Sequence, residues 1–361
     1  MRILYGVQGT GNGHIARSRV MAQQFLQQGV QVDFLFSGRD PAGYFAMDDF
    51  GAYQTRQGLS FVSHHGKLDL PQTVLQAQPR RLWQEIQQLD LTGYDLVVND
   101  FEPVSAWAAK RQGIPSVGIS HQNSFHHQVP VEGYGALNRM IIRHFAPVEQ
   151  ALGLHWFHFN QPLLPPIVPA TVPSIVQASA PSATTGSGDA GYVLVYLPFE
   201  AMPQIRQLLQ QLAPQRFICY HPQVQQQTTD GNIDWRPPAQ QAFAADLHHC
   251  SGVLSNAGFE LPSEALALGK KLLVKPLRGQ FEQQSNAKTL ELLGLGTRLS
   301  TLSADAVARW LTSAAAEAVC YPNVAKTLVG WLLQGNWHQT AELQQLWQQV
   351  QFPAYTRLQH R

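Results

Sequence analysis

Residues 254–276 of this chain read LSNAGFELPSEALALGKKLLVKP. The apolar run before Ser255 predicts a strand, the small residues after it predict a turn, and the segment that follows predicts a helix. The N-terminus of a helix presents free N–H groups and the positive end of the helix dipole, which attract an anion such as a diphosphate. The stretch therefore predicts an anion site on an α/β scaffold. A capped helix with a polar rim is the structural alternative.

The same alternation of strand and helix runs through the whole chain. It starts at the first residues, and it starts again after about residue 191. This pattern is typical of parallel sheets covered by helices. We predict an α/β fold with two Rossmann-like domains that face each other across a cleft. The predicted strands are 3–7, 30–36, 96–99 and 116–120 in the first half, and 192–197, 217–220, 253–255 and 272–275 in the second.

A change of composition marks the connection between the two halves. Residues 161–166 are rich in proline, and residues 180–189 are rich in Gly, Ser and Thr. Such segments are typical of linkers that are stiff at first and flexible afterwards. We predict an N-terminal domain at 1–160, a linker at 161–190, a C-terminal domain at 191–336 and a helical segment at 337–361.

The charge balance excludes some functions. The 361 residues include 25 Lys+Arg and 24 Asp+Glu, for a net charge of +1 without basic runs. Binding of nucleic acid through bulk charge is therefore not expected. The three cysteines are far apart and predict neither a disulfide framework nor a zinc site. The sequence shows no signal-peptide pattern and no apolar stretch of about 18 residues, so we expect a cytoplasmic protein without a membrane span.

A glycine-rich loop follows the first predicted strand. It consists of Gly9, Thr10, Gly11, Asn12 and Gly13, and it leads into His14. Such a loop lets the backbone approach an anion or a sugar hydroxyl, and a tight strand-to-helix turn is the structural alternative. The loop is a poor match to the dinucleotide fingerprint, because His14 stands where the last glycine belongs and the second strand ends without an acidic residue.

His14 is a candidate general base, because imidazole accepts a proton near neutral pH. Asp100 follows the predicted strand 96–99, at the carboxyl edge where sites in parallel sheets collect. A carboxylate there can orient the imidazole ring. Glu102 competes with Asp100 for this role, and the N-cap of the helix at 103–112 is the structural alternative for Asp100.

Further polar residues of the second half follow the anion site. Glu264 lies in the first turns of the predicted helix, within reach of ligand hydroxyls. The next loop carries Gln280, Glu282 and Gln283, and Asn286 follows. Carboxylates and amides form paired hydrogen bonds with sugar hydroxyls, and we expect these side chains to contact a sugar.

These motifs resemble the GT-B-fold glycosyltransferases that use nucleotide sugars, in family 1 and in family 28, which includes the lipid II-forming N-acetylglucosaminyltransferase. The spacing of Gly258, Glu264, Gly269 and Pro276 is that of the donor-binding motif in these families. The acidic-Gln pair at 282–283, the Asn286 that follows it and the loop ending in Gly13-His14 also have counterparts there. The resemblance covers roughly residues 1–296.

The resemblance implies an inverting, metal-independent transfer of a sugar from a nucleoside-diphosphate donor, most simply a UDP-sugar, to an acceptor hydroxyl. The first half would bind the acceptor and the second half the donor, without any cofactor. His14 would act as base with Asp100 as its partner. The implied donor contacts are Ser255, Asn256, Ala257, Gly258 and Phe259 for the diphosphate, Glu264 for the ribose, Gln280, Glu282 and Gln283 for the sugar, and Trp235 and Arg236 in a loop that receives the uracil.

The chain departs from family 1 at three positions. Asn256 and Leu261 replace a His and a Ser that flank the diphosphate, so its contacts are expected mostly from the backbone. Arg17 replaces a proline after the histidine and is expected to face a phosphate of the acceptor. No DxD-like pair is present, and none is needed in these families.

Two other functions stay open, namely a UDP-sugar 2-epimerase of GT-B fold and a non-catalytic protein that binds nucleotide sugars. The expected acceptor is a glycan, a lipid-linked sugar or a small molecule. Residues 134–145 place apolar side chains beside Arg139 and Arg143. This pattern suits a helix packed on the core, and it also suits a peripheral contact with the inner face of a membrane.

Overall fold

The structure is a computed structural model that describes residues 1–44, 46–59, 63–64, 67–68, 78–169 and 191–358. The glycine- and serine-rich part of the predicted linker therefore lies outside the described residues, as do residues 45, 60–62, 65–66, 69–77 and 359–361. The prediction of two α/β halves is confirmed, since each half is built on one mainly parallel sheet. The domain boundaries themselves stay predictions.

The first half contains a seven-stranded parallel sheet with the order β3-β2-β1-β6-β7-β8-β9. A separate two-stranded sheet joins β4 to β5. The strands are β1 (Ile3–Gln8), β2 (Val32–Ser37), β3 (Tyr53–Arg56), β4 (Ser63–His64), β5 (Lys67–Leu68), β6 (Leu96–Asp100), β7 (Ser116–Ser120), β8 (Gln150–Leu154) and β9 (Leu163–Leu164). The helices are α1 (Asn12–Gln27), α2 (Pro79–Gln88), α3 (Pro103–Gln112) and α4 (Ala136–His144), with 3-10 turns at Pro41–Gly43, Asp48–Phe50 and Gln122–His126.

The second half contains another seven-stranded sheet, with the order β12-β13-β11-β10-β14-β15-β16, in which only β12 is antiparallel to its neighbour. Its strands are β10 (Val193–Tyr196), β11 (Phe217–Tyr220), β12 (Thr228–Asp230), β13 (Ile233–Arg236), β14 (Gly252–Asn256), β15 (Lys271–Lys275) and β16 (Thr297–Arg298). Its helices are α5 (Met202–Gln210), α6 (Gln240–His249), α7 (Glu260–Ala267), α8 (Phe281–Leu293) and α9 (Ala304–Leu311). After them come α10 (Val324–Gln334), α11 (Ala341–Gln344) and a 3-10 turn at Gln345–Gln349.

Continuous burial explains why the central strands form where they do. All six residues of β1 and all five of β14 are buried, as expected for strands covered by helices on both faces. The sequence signals for helix ends also hold in α3, which has Pro103 in its first turn and ends at Gly113 with a φ of 67°. A left-handed backbone at that position favours glycine.

The order in which the strands follow one another reverses at one place in each sheet, and these two places decide where the site lies. In the first sheet β1 lies between β2 and β6, and in the second β10 lies between β11 and β14. Parallel α/β sheets bind ligands at such switch points, beyond the carboxyl ends of the strands. The loops after β1 and β14 leave from these two edges, and α1 contacts α7 across the cleft.

The observed elements differ from the sequence prediction in several places. The predicted strand 30–36 begins only at Val32, because Gly29 has a φ of 70° and the N–H of Val30 bonds back to the carbonyl of Phe25. The segment 234–237 is not a loop, since Asp234, Trp235 and Arg236 belong to β13. Within the described residues 337–358, the last segment contains only one short helix, α11, and the 3-10 turn after it.

Candidate active site

His14 and Asp100 meet at the carboxyl edge of the first sheet. His14 lies in the first turn of α1, directly after the glycine loop, and Asp100 ends the adjacent strand β6. The imidazole Nδ1 is 2.8 Å from Asp100 Oδ1. The His14 side chain is 15% exposed and that of Asp100 is fully buried. An ionised carboxylate accepts a hydrogen bond, so Nδ1 carries the proton and Nε2 keeps the free lone pair.

The structure separates the roles of the two candidate carboxylates. Glu102 is the N-cap of α3, where its side chain accepts hydrogen bonds from the N–H groups of Val104 (2.8 Å) and Ser105 (2.6 Å). Asp100 is therefore free to orient His14. Phe101 lies between them with a φ of 52°, a left-handed conformation that costs free energy for an aromatic residue. This sharp bend sends the two carboxylates in different directions.

Arg17 is buried beside the His14–Asp100 pair. Its Nε donates to Asp100 Oδ2 (3.0 Å) and its Nη2 donates to Asp100 Oδ1 (2.6 Å). Its Nη1 donates to Glu260 Oε1 on the second half. The side chain is 2% exposed, so Arg17 is held by two carboxylates and does not face an acceptor phosphate, in contrast to the sequence-based expectation. Burial raises the pKa of Asp100, but the charges of Arg17 and His14 outweigh it and hold that pKa below its ordinary value.

The glycine loop is held by side chains from both halves. The Asn12 side chain accepts a hydrogen bond from Arg39 (3.0 Å) and donates one to Tyr196 of the second half (3.3 Å). The Thr10 hydroxyl accepts from Gln8 at the end of β1. An added Cβ would lie 2.2 Å from the Tyr44 hydroxyl oxygen at Gly9 and 3.1 Å from Glu260 Cγ at Gly13, so both glycines allow close approach, whereas at Gly11 it would meet nothing within 4 Å. The loop residues concerned are Gly9, Thr10, Gly11, Asn12 and Gly13.

The end of β14, just before the loop to α7, carries unpaired polar atoms where the sequence predicts the diphosphate site. Ser255 is 1% exposed and Asn256 is 7% exposed, and neither Ser255 Oγ nor Asn256 Oδ1 has a hydrogen-bond partner among the described residues. Phe259 stands at the N-cap position of α7 and its side chain forms no capping hydrogen bond. No side-chain cap therefore occupies the first N–H groups of the helix, which can bind an anion. The Ala257 carbonyl accepts from Asn286 (3.0 Å), and a Cβ added at Gly258 would meet nothing within 4 Å.

Glu264 lies in α7, one turn beyond the diphosphate loop. Burial raises the pKa of its carboxyl group to about 7, and the charge of Arg19 on α1 opposes this rise only in part. A half-buried carboxylate that is costly to ionise gains from new hydrogen-bond donors. The role of Glu264 in binding ligand hydroxyls stays a prediction.

The three polar residues at the start of α8 have different partners. Gln280 is the N-cap and accepts from the N–H of Gln283 (2.5 Å). The side-chain oxygen of Gln283 accepts from the N–H of Leu277 (3.0 Å), so both glutamines shape the loop. Glu282 instead reaches across the cleft and accepts from Gln122 Nε2 (3.1 Å). Among the described residues, Glu282 is the one of the three with a hydrogen bond to the first half.

The structure does not place Trp235 and Arg236 in an open loop. Trp235 lies in β13, is 1% exposed and packs in one hydrophobic cluster with residues of the helices α5 and α9. Arg236 forms an ion pair with Asp246 on α6. These two residues are therefore part of the framework behind the cleft, and the loop expected there is a strand.

His121 and Gln122 also lie at the site, although the sequence motifs do not single them out. His121 follows β7, stacks on Phe259 with ring centroids 4.1 Å apart, and places Nε2 2.7 Å from Asn286 Oδ1. Burial lowers the pKa of this imidazole, against the Glu282 charge, which raises it. The same rule that singled out Asp100, a polar residue directly after a parallel strand, would have found His121.

The helix at residues 136–144, α4, combines basic and apolar residues as the sequence indicates. Leu137 is 46% exposed and Met140 is 55% exposed, whereas Ile142 is buried. One face of α4 thus packs on the core while two apolar side chains lie on the surface. Every helix in the described ranges is too short or too polar to cross a bilayer.

Solved glycosyltransferases share this architecture. Spinosyn rhamnosyltransferase SpnG has a TM-score of 0.57 at 13% sequence identity, over 94% of this chain and 96% of its own. Arabidopsis thaliana UGT89C1, solved with UDP, has a TM-score of 0.56 at 15% identity, over 86% and 90%. Acinetobacter baumannii MurG has a TM-score of 0.50 at 17% identity, over 86% and 90%. At such low identities these likenesses establish the fold, which is the GT-B fold.

The sequence itself decides the family. No curated protein is similar enough in sequence to count as a relative. The profile of the family described as Glycosyl transferase family 1 matches residues 1–314, which include both sheets, the His14–Asp100 pair and the loop before α7. The likeness to family 28 stays a prediction. The chain is a glycosyltransferase of GT-B fold and belongs to glycosyl transferase family 1.

Proposed function

We propose that this glycosyltransferase is an inverting enzyme that transfers a sugar from a UDP-sugar to an acceptor hydroxyl without a metal ion. One observation carries the proposal. Arg17 joins Asp100 of the His14–Asp100 pair to Glu260, the first residue of α7. Helix α7 starts without a side-chain cap, and the strand before it ends beside the unpaired hydroxyl of Ser255, which is able to donate to an anion. A base on one side and an anion site on the other are what a single displacement needs.

The base step uses His14. Its Nε2 is free because Nδ1 faces Asp100, so it accepts the proton of the acceptor hydroxyl. The acceptor oxygen then forms a bond to the anomeric carbon, and the bond from that carbon to the diphosphate oxygen breaks. The electron pair leaves with the diphosphate, and the configuration at the anomeric carbon inverts.

The leaving group is stabilised by the loop before α7. The helix dipole and the free N–H groups attract the diphosphate, and the Ser255 hydroxyl can donate to it. Preorganised donors of this kind supply a large share of catalysis. Since these groups carry the charge compensation, we propose that no metal is required.

Glu264 and Glu282 bind the ribose and the sugar of the donor. Glu264 accepts hydrogen bonds from the ribose hydroxyls, and Glu282, next to the cleft, accepts them from the sugar. The UDP assignment is supported by the neighbour UGT89C1, which was solved with UDP and, separately, with quercetin.

The acceptor binds in the first half, and the exposed Leu137 and Met140 beside Arg139 suit a peripheral contact with a membrane.

The first experiment is a thermal-shift screen with UDP, other nucleoside diphosphates and UDP-sugars. A ligand that binds only the folded state raises the melting temperature with its concentration. We expect UDP and at least one UDP-sugar to do so, and Ser255→Ala to weaken the shift. Absence of any shift contradicts the donor site.

A second experiment separates transfer from the two other functions. Release of free UDP from a UDP-sugar is followed with and without a panel of sugar, lipid-linked and aromatic acceptors. Release that requires an acceptor supports transfer. Release with a 2-epimeric sugar but no acceptor indicates an epimerase, and binding without any release indicates a non-catalytic protein.

A further inference from the structure

The ion pair between Arg17 and Glu260 joins the two halves directly behind the proposed base. Arg17 belongs to α1 of the first half, and Glu260 is the first residue of α7 in the second. The two side chains are 2% and 7% exposed. Gly13 leaves room for this approach, because a Cβ there would lie 3.1 Å from Glu260 Cγ, a tight contact.

Arg17 donates hydrogen bonds to two carboxylates, one in each half of the molecule. Nε and Nη2 bond to the two oxygens of Asp100, and Nη1 bonds to Glu260. The guanidinium is planar and its donors form a rigid fork, so one orientation of Arg17 serves both carboxylates. Arg17 Nη2 is also only 3.2 Å from His14 Nδ1. The four side chains therefore form one buried cluster.

The charges of the cluster depend on whether the halves are in contact. Arg17 cancels the charge of Asp100, and Glu260 adds one negative charge when the cleft is closed. With Glu260 in place the cluster goes from a net charge of −1 to zero when His14 takes a proton. Without Glu260 it goes from zero to +1, which is unfavourable in a buried site of low dielectric constant.

We propose that Glu260, acting through Arg17, enables His14 to take the proton of the acceptor only when the donor half has closed on the first half. Glu260 and Arg17 are positioning residues, because they act on the base through Asp100 and do not touch the reacting atoms. The inference rests on the proposed function in taking His14 as the base. It adds that base strength is coupled to closure, which limits proton transfer before the donor is enclosed.

The main test is Glu260→Gln, which keeps the size of the side chain and removes its charge. The protein is labelled with ¹⁵N-histidine, and the His14 signal is assigned by its loss in His14→Ala. Spectra are recorded at one fixed pH near the ordinary pKa of histidine, about 6.5. We expect the imidazolium fraction of His14 to be at least about three-fold lower in the variant than in the native protein. Where turnover is measurable, we expect kcat to fall about ten-fold or more with the donor KM little changed, within the range of general-base effects.

Glu132→Gln is the matched control. Glu132 also pairs with an arginine across the cleft, since its two carboxylate oxygens accept from Arg298 at 2.6 Å each, but it takes no part in the Asp100 cluster. We expect this variant to keep the native imidazolium fraction and kcat. Equal losses in both variants would show that only the contact between the halves matters, and the proposal would be wrong.

A double variant tests the charge argument itself. Arg17→Met with Glu260→Leu removes one positive and one negative charge, which leaves Asp100 alone with His14. We expect the imidazolium fraction to return to within about two-fold of native. A fraction that stays as low as in Glu260→Gln contradicts the proposal. The NMR readout needs no acceptor, so failure to find transferase activity would overturn the proposed function without deciding this inference.

Discussion

At the scale of single residues, the candidate site is a small set of ionisable groups in a chain with few charges. Only 14% of the residues are charged, yet His14, Arg17, Asp100, Glu260 and Glu264 all lie near the cleft, and several are buried. Charges are costly to bury without partners. Asp100, Arg17 and Glu260 avoid this cost because they pair with one another. Glu264 avoids it because its raised pKa favours the neutral form of the carboxyl group.

His14→Ala is the simplest test of the base. We expect kcat to fall about 10²- to 10⁴-fold, the usual contribution of a general base. Affinity for UDP, measured by calorimetry, should stay close to native because the His14 side chain bonds to Asp100 of the first half and not to the predicted donor contacts. Native turnover in this variant would remove His14 from the mechanism.

Glu264→Gln should change how stability depends on pH. The unfolded chain ionises this carboxyl near pH 4.5 and the folded protein near about 7, so between these values the folded state holds the proton more often. Native stability therefore falls as the pH rises through this window, and the Gln variant lacks the loss. We expect the melting temperature of the variant to gain on that of the native protein from pH 4.5 to 7. A constant difference would contradict the raised pKa, and Glu342→Gln at an exposed site is the control.

At the scale of elements, α3 explains why two nearby carboxylates have separate roles. Glu102 accepts from the hydroxyls of Ser105 and Ser37 as well as from two backbone N–H groups. Burial raises its pKa and these hydrogen bonds oppose the rise. The helix start is thereby fixed next to Asp100.

Glu102→Ala should therefore destabilise the protein more than the loss of an ordinary cap. Four donors lose their acceptor in a buried place, so we expect a loss of about 2 kcal/mol or more in the free energy of unfolding. The cap of α9, Ser303, is the control, and Ser303→Ala should cost about 1 kcal/mol or less. Urea denaturation of the two variants compares them. Equal losses would mean that Glu102 is an ordinary cap.

At the scale of the whole molecule, the two halves share one hydrophobic cluster. It contains core residues of both sheets and also residues of α10 and α11. Helix α10 contacts α1, and Trp347 Nε1 donates to the carbonyl of Leu163 in the first sheet (2.7 Å). The end of the chain thus returns from the second half to the first and packs there.

Leu343→Ala tests this return. Leu343 is fully buried although it lies in the last segment, and we expect its truncation to cost about 2–5 kcal/mol. Leu26→Ala is the matched control, since Leu26 is 78% exposed and its truncation should change stability by about 0.5 kcal/mol or less. Guanidinium denaturation measures both. A negligible loss for Leu343→Ala would mean that the last segment does not stabilise the first half.

Much of the fold and part of the site follow from the sequence alone. Local patterns determine β1, β6, β14 and α7, because buried strands read as apolar runs and helix starts carry their own signals. The rule that parallel strands end at a common edge was enough to bring His14 and Asp100 together. The spacing of the motif residues from Gly258 to Pro276 was enough to indicate the family.

The tertiary structure decided what depends on contacts between distant residues. Sequence patterns do not show that Arg17 pairs with Glu260, 243 positions away, or that His121 stacks on Phe259. Nor do they show that Trp235 lies in a buried strand, because a short apolar run is ambiguous until its neighbours are known. The sequence by itself determined the elements and the ends of the strands, since those depend on local chemistry. The structure decided the partners of each charge, because burial and pairing arise only when the two halves meet.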